Sequence, residues 1–201
     1  MAKGDLPPKN KFVNESVGDY KLEEEIGRGK IGVVYRGRQA NTEDLAACKI
    51  IPHENLKGGT WQREIQKISK LHDVPTVVQY KGWATPTFDG IPYICILYQY
   101  IGNEGQCADN LQTYINKNPS DVTLQFIKSL TENVLATFHA MQVEGIQHND
   151  LHEGNILIYH NPHDLKPGDP TIKITDFGIG ERPSTNPLSA VTLKVNYWME
   201  T

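Results

Sequence analysis

One ten-residue run narrows the fold of this chain more than any other stretch: His148-Asn149-Asp150-Leu151-His152-Glu153-Gly154-Asn155-Ile156-Leu157. An aspartate stands five residues ahead of an asparagine, on a loop that leads into an apolar strand. The two residues supply different chemistry. The Asp150 carboxylate can orient a hydroxyl and accept its proton, while the Asn155 side-chain carbonyl is a hard oxygen suited to Mg²⁺. Asp176-Phe177-Gly178 follows a second apolar run, Ile172-Lys173-Ile174, and offers another oxygen ligand. Two protein ligands suffice for Mg²⁺ when phosphates and waters complete its octahedron. Each residue alone reads as an ordinary turn former; the ordered set points to a site.

Two further motifs precede it. Gly27-Arg28-Gly29-Lys30-Ile31-Gly32-Val33-Val34 is a glycine-rich loop in which glycine permits φ > 0 and close approach to phosphate. The string is weak evidence by itself, because dinucleotide folds use it too. Here strands are expected on both sides, whereas a dinucleotide site needs a strand and then a helix. Ala46-Ala47-Cys48-Lys49-Ile50 reads as a short strand delivering one lysine. A lone strand lysine is usually solvated. Glu64, on the helix expected next, stands where a carboxylate partner for that ammonium would be needed.

Around these motifs the chain changes character. Short β-rich runs fill the first half, at 20–26, 33–35, 46–51, 77–83 and 91–101. One helix is expected at 61–71, from Trp61, Ile65, Ile68 and Leu71 on one face. A second spans 122–141, from Ile127, Leu130, Val134, Phe138 and Met141. Residues 1–18 read as a disordered leader, 102–105 as a loop beside a hinge, and 159–170 as a surface excursion. Net charge is −4, from 20 basic against 24 acidic residues, which gives no footing for nucleic acid. The longest apolar stretch, 91–101, is too short and interrupted to span a bilayer, so no membrane role is expected. Three cysteines without metal-ligand spacing read as free thiols, and the expected location is cytoplasmic or nuclear.

From about Asp19 to Thr201 the motifs, in this order, resemble the eukaryotic-type protein kinase family. The resemblance implies an α+β, bilobal protein-kinase-like fold, with a β-rich N-lobe at about 19–100 and an incomplete helical C-lobe at about 101–201. It implies ATP and Mg²⁺ as cofactors and a protein as substrate. The implied catalytic set is Asp150, Lys49, Glu64 and His152, with Asn155 and Asp176 on the metal. The implied nucleotide site comprises Ile26, Gly27, Arg28, Gly29, Lys30, Ile31, Gly32, Val33 and Val34 of the loop, Lys49, the gatekeeper Tyr98, and Gln99 and Ile101 of the hinge. His148, Phe177 and Ile68 would belong to a hydrophobic stack between the lobes.

The sequence also departs from the family pattern. Asn149 replaces the usual arginine before the catalytic aspartate, which implies independence from an activation-loop phosphate. His152 stands where Ser/Thr kinases carry lysine, as in related small-molecule kinases, and implies weaker neutralisation of γ-phosphate. Asn196-Tyr197-Trp198-Met199-Glu200-Thr201 resembles the end of an activation segment. The helices that follow in the family would then be missing, and the apolar face of the helix at 122–141 would lie bare. Either a partner covers that face or the chain is a fragment. The leading expectation is γ-phosphoryl transfer to protein Ser/Thr hydroxyls. An ATP-binding pseudokinase or scaffold and a small-molecule kinase are the alternatives.

Overall fold

The computed structural model describes residues 6–56, 60–148, 150–160 and 170–177. Seven strands form the N-terminal sheet: β1 (Ser16–Val17), β2 (Tyr20–Arg28), β3 (Val33–Gln39), β4 (Leu45–Pro52), β5 (Tyr80–Ala84), β6 (Thr87–Phe88) and β7 (Ile91–Gln99). They pair antiparallel in the order β1-β2-β3-β4-β7-β5, with β6 on the end of β7. Helix α1 (Thr60–Lys70) connects β4 to β5. The expected α+β, bilobal arrangement with a β-rich first lobe is what these residues build.

Period-two alternation in β4 and β7 places the site. Cys48, Ile50, Cys95 and Leu97 belong to the outer core of the sheet. Ile51, Ile94, Ile96 and Tyr98 belong to the inner core, which continues into the second lobe. Lys49 is in phase with Ile51 and pairs across from Ile96, so its side chain leaves the sheet on the inner face. Tyr98 pairs across from Ala47 and leaves on that face too. On α1, Glu64 and Ile68 are one turn apart and both buried, so the helix turns its carboxylate toward the same interior.

The second lobe contains β8 (Asp109–Asn110), α2 (Leu111–Lys117), α3 (Leu124–Val143), β9 (Ile156–Tyr159) and β10 (Thr171–Ile174). Helix α2 and strand β8 were not expected from sequence. The helix is seven residues long, too short to display a period, yet it carries a start signal: the Asn110 side chain accepts from the Thr113 amide. Thr123 caps α3 in the same way. Its end is marked by Gly145 at φ 64°. The face expected to lie bare is instead mostly packed: Met141 is buried, Leu130, Val134 and Phe138 are partly buried against the core, and Ile127 remains exposed, as do Leu124, Leu135 and Val143 away from that face. No described helix is long and apolar enough to cross a membrane.

The β9–β10 hairpin brings the two candidate metal residues together. Ile156 pairs with Ile174, so Asn155 and Thr175 emerge at one end of it, and the Thr175 amide donates to the Asn155 carbonyl at 3.0 Å. Residues 161–169, within the expected surface excursion, and residues 178–201, with the activation-segment resemblance, lie outside the described residues.

The leader departs from expectation. From Leu6 to Gly18 the chain packs against the sheet, with Phe12 fully buried among Tyr35, Phe88 and Tyr93. The Asn10 amide donates to Glu25 Oε2 at 2.9 Å. Leu6, Phe12, Val13 and Val17, scattered through a polar, proline-containing leader, show no sustained period, which is why the sequence concealed this strap. Phe12→Ala is expected to lower the unfolding free energy by about 3 kcal/mol. Urea titration would check this, and a loss below about 1 kcal/mol would mean that the strap is not held by its aromatic anchor.

Candidate active site

Lys49 is the centre of the site. It is only 9% exposed, and its ammonium donates to Glu64 Oε1 at 3.1 Å and to Asp176 Oδ1 at 2.6 Å. Residues 49, 64 and 176 are far apart in the chain and meet through the sheet face, α1 and the β9–β10 hairpin. Burial alone would weaken the Lys49 charge, but Glu64 and Asp176 more than reverse that and raise its pKa. Asp176 is held below the ordinary carboxylate value: burial pushes upward and the adjacent Lys49 overrides it. Asp176 also adopts φ 61°, a left-handed conformation that aspartate takes more readily than most residues other than glycine.

Tyr98 has a second role beyond the expected gatekeeper position. Its buried hydroxyl donates to Glu64 Oε1, the same oxygen that Lys49 approaches. Burial and the neighbouring Glu64 charge both raise the Tyr98 pKa, so it stays a neutral donor. Two donors thus compensate a carboxylate that is 1% exposed. Tyr98→Phe removes one of them and is expected to cost about 2 kcal/mol of folding stability, the usual loss for a hydrogen bond to a charged group. Chemical denaturation would check this, and an unchanged midpoint would show that the hydroxyl is dispensable to Glu64.

The glycine-rich loop closes as a hairpin, with the Gly29 amide donating to the Gly32 carbonyl at 2.9 Å. None of Gly27, Gly29 and Gly32 has a left-handed φ, so the expected reliance on positive φ is not how they act. Gly32 is required for close approach instead, since a Cβ there would sit 2.5 Å from the Ile50 carbonyl. Val34 pairs directly across from Lys49 and shares its face. Val33 pairs across from Ile50 and is fully buried in the outer core, so its side chain does not line the cleft. Arg28 also turns away: its guanidinium donates to both Glu25 oxygens and to the Pro7 carbonyl, which ties the loop to the strap. Ile26 and Ile31 are half-buried and Lys30 is exposed. The Ile31 carbonyl accepts from Asn55 at 3.3 Å.

At the expected hinge, the Gln99 amide is taken by the Gln79 carbonyl at 2.7 Å. The Ile101 carbonyl accepts from Ala108 at 2.9 Å, whereas the Ile101 amide donates to no other described residue.

In the catalytic loop Asp150 is exposed, and its carboxylate has no partner among the described residues. Asn155 is 8% exposed and donates through Nδ2 to the Asp150 carbonyl at 2.8 Å. That bond fixes the amide so that its oxygen is the free end. His152 differs from expectation. Its Nδ1 accepts from the Gly154 amide at 3.0 Å and caps a short 3-10 turn at Glu153–Asn155, so the ring shapes the loop. His148 donates through Nε2 to the Thr175 carbonyl at 3.0 Å and lies 4.7 Å from the Phe177 ring. Burial lowers the His148 pKa, consistent with a neutral ring. Ile68 and Phe177 share the inner core, as the stack requires.

Lys67 was not singled out from sequence. From α1 it donates to the Gln147 carbonyl at 3.1 Å and the Phe177 carbonyl at 3.3 Å. Its position three residues after Glu64, on a neighbouring part of the helix face, is the only local signal it carries.

The family profile described as "Protein kinase domain" matches residues 20–199. The serine/threonine-protein kinase ppk23 of Schizosaccharomyces pombe is 28% identical over 196 residues, covering 95% of this chain and 44% of ppk23. The serine/threonine-protein kinase KIC1 of Saccharomyces cerevisiae is 25% identical, covering 90% of this chain and 15% of KIC1. The serine/threonine-protein kinase prk-2 of Caenorhabditis elegans is 28% identical, covering 80% of this chain and 34% of prk-2. The chain therefore spans less than half the length of these curated relatives.

Proposed function

This chain belongs to the protein kinase domain family, and on that premise we propose that it transfers the γ-phosphoryl group of ATP to serine or threonine hydroxyls of proteins, with Mg²⁺. The observation that carries this reading is the convergence of Lys49, Glu64 and Asp176 at 3.1 and 2.6 Å on the inner face of the sheet, with the Asp150 carboxylate exposed and unpaired among the described residues. Three relatives named as serine/threonine kinases support the choice of hydroxyl.

The residues suit the implied ligands. Asn155 presents a free amide oxygen and Asp176 a carboxylate, both hard donors on one end of a rigid hairpin, so these two would hold Mg²⁺. When bound, Mg²⁺ neutralises phosphate charge during transfer. Glu64 and Tyr98 hold the Lys49 ammonium at the cleft, where it binds the α- and β-phosphates. Gly27, Gly29 and Gly32 cover the phosphates with backbone, and Ile26 and Val34 flank the adenine. The free Ile101 amide and the Gln99 carbonyl bind the adenine edge. Asp150 orients the incoming hydroxyl and accepts its proton. His152 acts on this geometry by capping the loop between Asp150 and Asn155.

The test is transfer from γ-labelled ATP to mixed protein substrates, followed by phosphoamino-acid analysis, for the wild type and Asp150→Ala. Phosphoserine or phosphothreonine from the wild type alone is expected. Equal label from both proteins would reject the mechanism. Thermal stabilisation by ATP without any transfer would favour the nucleotide-binding scaffold instead.

A further inference from the structure

We propose that Lys67 is a positioning residue: it ties α1 to the catalytic loop and to the Asp176 loop, so that the helix carrying Glu64 sets the placement of both. The functional half of this proposal rests on the reading of the site as a phosphoryl-transfer centre.

Glu64 and Lys67 lie three residues apart on α1 and point to different lobes. Glu64 engages Lys49 and Tyr98 of the sheet. Lys67 engages the Gln147 carbonyl, one residue before His148, and the Phe177 carbonyl, one residue after Asp176. Less than one helical turn thus contacts the strands that carry Lys49 and Tyr98, the segment entering the catalytic loop and the loop that carries Asp176. The choice of partners is informative. Some described lysines pair with carboxylates, as Lys117 does with Asp109 and Lys11 with Asp89, and Lys81 and Lys173 each donate to one backbone carbonyl, whereas Lys67 reaches two carbonyls on two separate loops. Lys67 has no carboxylate within ion-pair distance among the described residues. It is half-buried, and that burial lowers its pKa, an unfavourable setting for an ammonium held only by neutral carbonyls. A surface lysine would gain more from water, so this placement makes sense as a geometric tie. Position 149, where the family pattern has arginine, carries asparagine and adds no charge. Among the described residues, the lysine bonded to the segment that enters the catalytic loop comes from α1.

The bond pattern predicts which parameters move. Lys67 touches neither the glycine-rich loop nor the hinge, so nucleotide affinity should survive its loss while the placement of Asp150 and Asp176 should not.

The experiment uses the full chain as wild type, Lys67→Met and Lys67→Arg, the last retaining several N–H donors. Without nucleotide, amide hydrogen exchange in peptides covering 146–151 and 174–178 is expected to run about fivefold faster in Lys67→Met, with β4 peptides unchanged, as for loss of one or two hydrogen bonds. Lys67→Arg should stay near wild type. In the transfer assay, kcat of Lys67→Met is expected to fall about 10- to 100-fold with KM for ATP within about twofold, and Lys67→Arg should recover most of the rate. Unchanged exchange at both loops, or an unchanged kcat, overturns the proposal. Should the wild type transfer no phosphate, the kinase reading fails while the exchange measurement still decides the tie. If methionine loosens the whole fold, Lys67→Leu, which likewise carries no side-chain donor, replaces it and the same outcomes apply.

Discussion

Replacing Asp150 by asparagine is expected to lower kcat for phosphoryl transfer by about a thousandfold while leaving ATP affinity within about a factor of three. The Asp150 carboxylate is exposed and bonded to no described residue, whereas its backbone carbonyl carries the bond from Asn155 Nδ2. Asparagine has the same shape, keeps that carbonyl, and removes only the charged acceptor that takes the hydroxyl proton. The loop and the Asn155 oxygen therefore stay in place, and no nucleotide contact is lost. Initial rates over a range of ATP concentrations, with a fluorescent ATP analogue for affinity, separate the two parameters. A variant with kcat within about tenfold of wild type would remove Asp150 from the chemistry.

Lys49→Met should abolish nucleotide-induced stabilisation and also destabilise the free protein by about 4 kcal/mol. The folding cost comes chiefly from Glu64. It is 1% exposed, and without the ammonium it keeps only the Tyr98 hydroxyl as partner. The pair with Asp176 adds less, because that side chain is 43% exposed and solvent screens it. The sign with pH follows from the shifts. Lys49 is raised, so its contribution is complete below its ordinary pKa and is lost as pH rises through the higher folded value. Asp176 is lowered, so its contribution is complete above its ordinary pKa and is lost as pH falls through the lower folded value. At neutral pH the wild-type cluster is at full strength, and thermal melts there, with and without Mg²⁺ and ATP, give the largest contrast with Lys49→Met. An ATP-dependent melting shift that persists in Lys49→Met would place the nucleotide elsewhere.

Much of the site was legible because its chemistry demands particular residue types at short spacing. Asp150 and Asn155 are five residues apart on one loop, and the three loop glycines fall within six positions. Lys49 and Glu64 were paired through the family resemblance, and in the structure strand alternation and the one-turn spacing of Glu64 and Ile68 turn both to the inner face. The side chains of Val33, Arg28 and His152 were harder to read. Val33 and Val34 look alike in sequence, and only the pairing of Val34 with Lys49 tells which one faces the cleft. Arg28 and His152 were captured by local polar partners, Glu25 with Pro7 and the Gly154 amide, that compete with any ligand.

The family resemblance supplied the α+β bilobal arrangement, and the sequence alone the main strands, the two longer helices and the residues able to hold phosphate, metal and proton. The latter follow from backbone periodicity and side-chain chemistry, which act over a few residues. The tertiary structure alone decided that Phe12 anchors the leader, that the Tyr98 hydroxyl supports Glu64, and that Lys67 bridges to Gln147 and Phe177 across 80 and 110 residues of chain. Such contacts have no local signature, because a buried polar group must find its partner wherever the folded chain places one, and that is settled by packing at a distance.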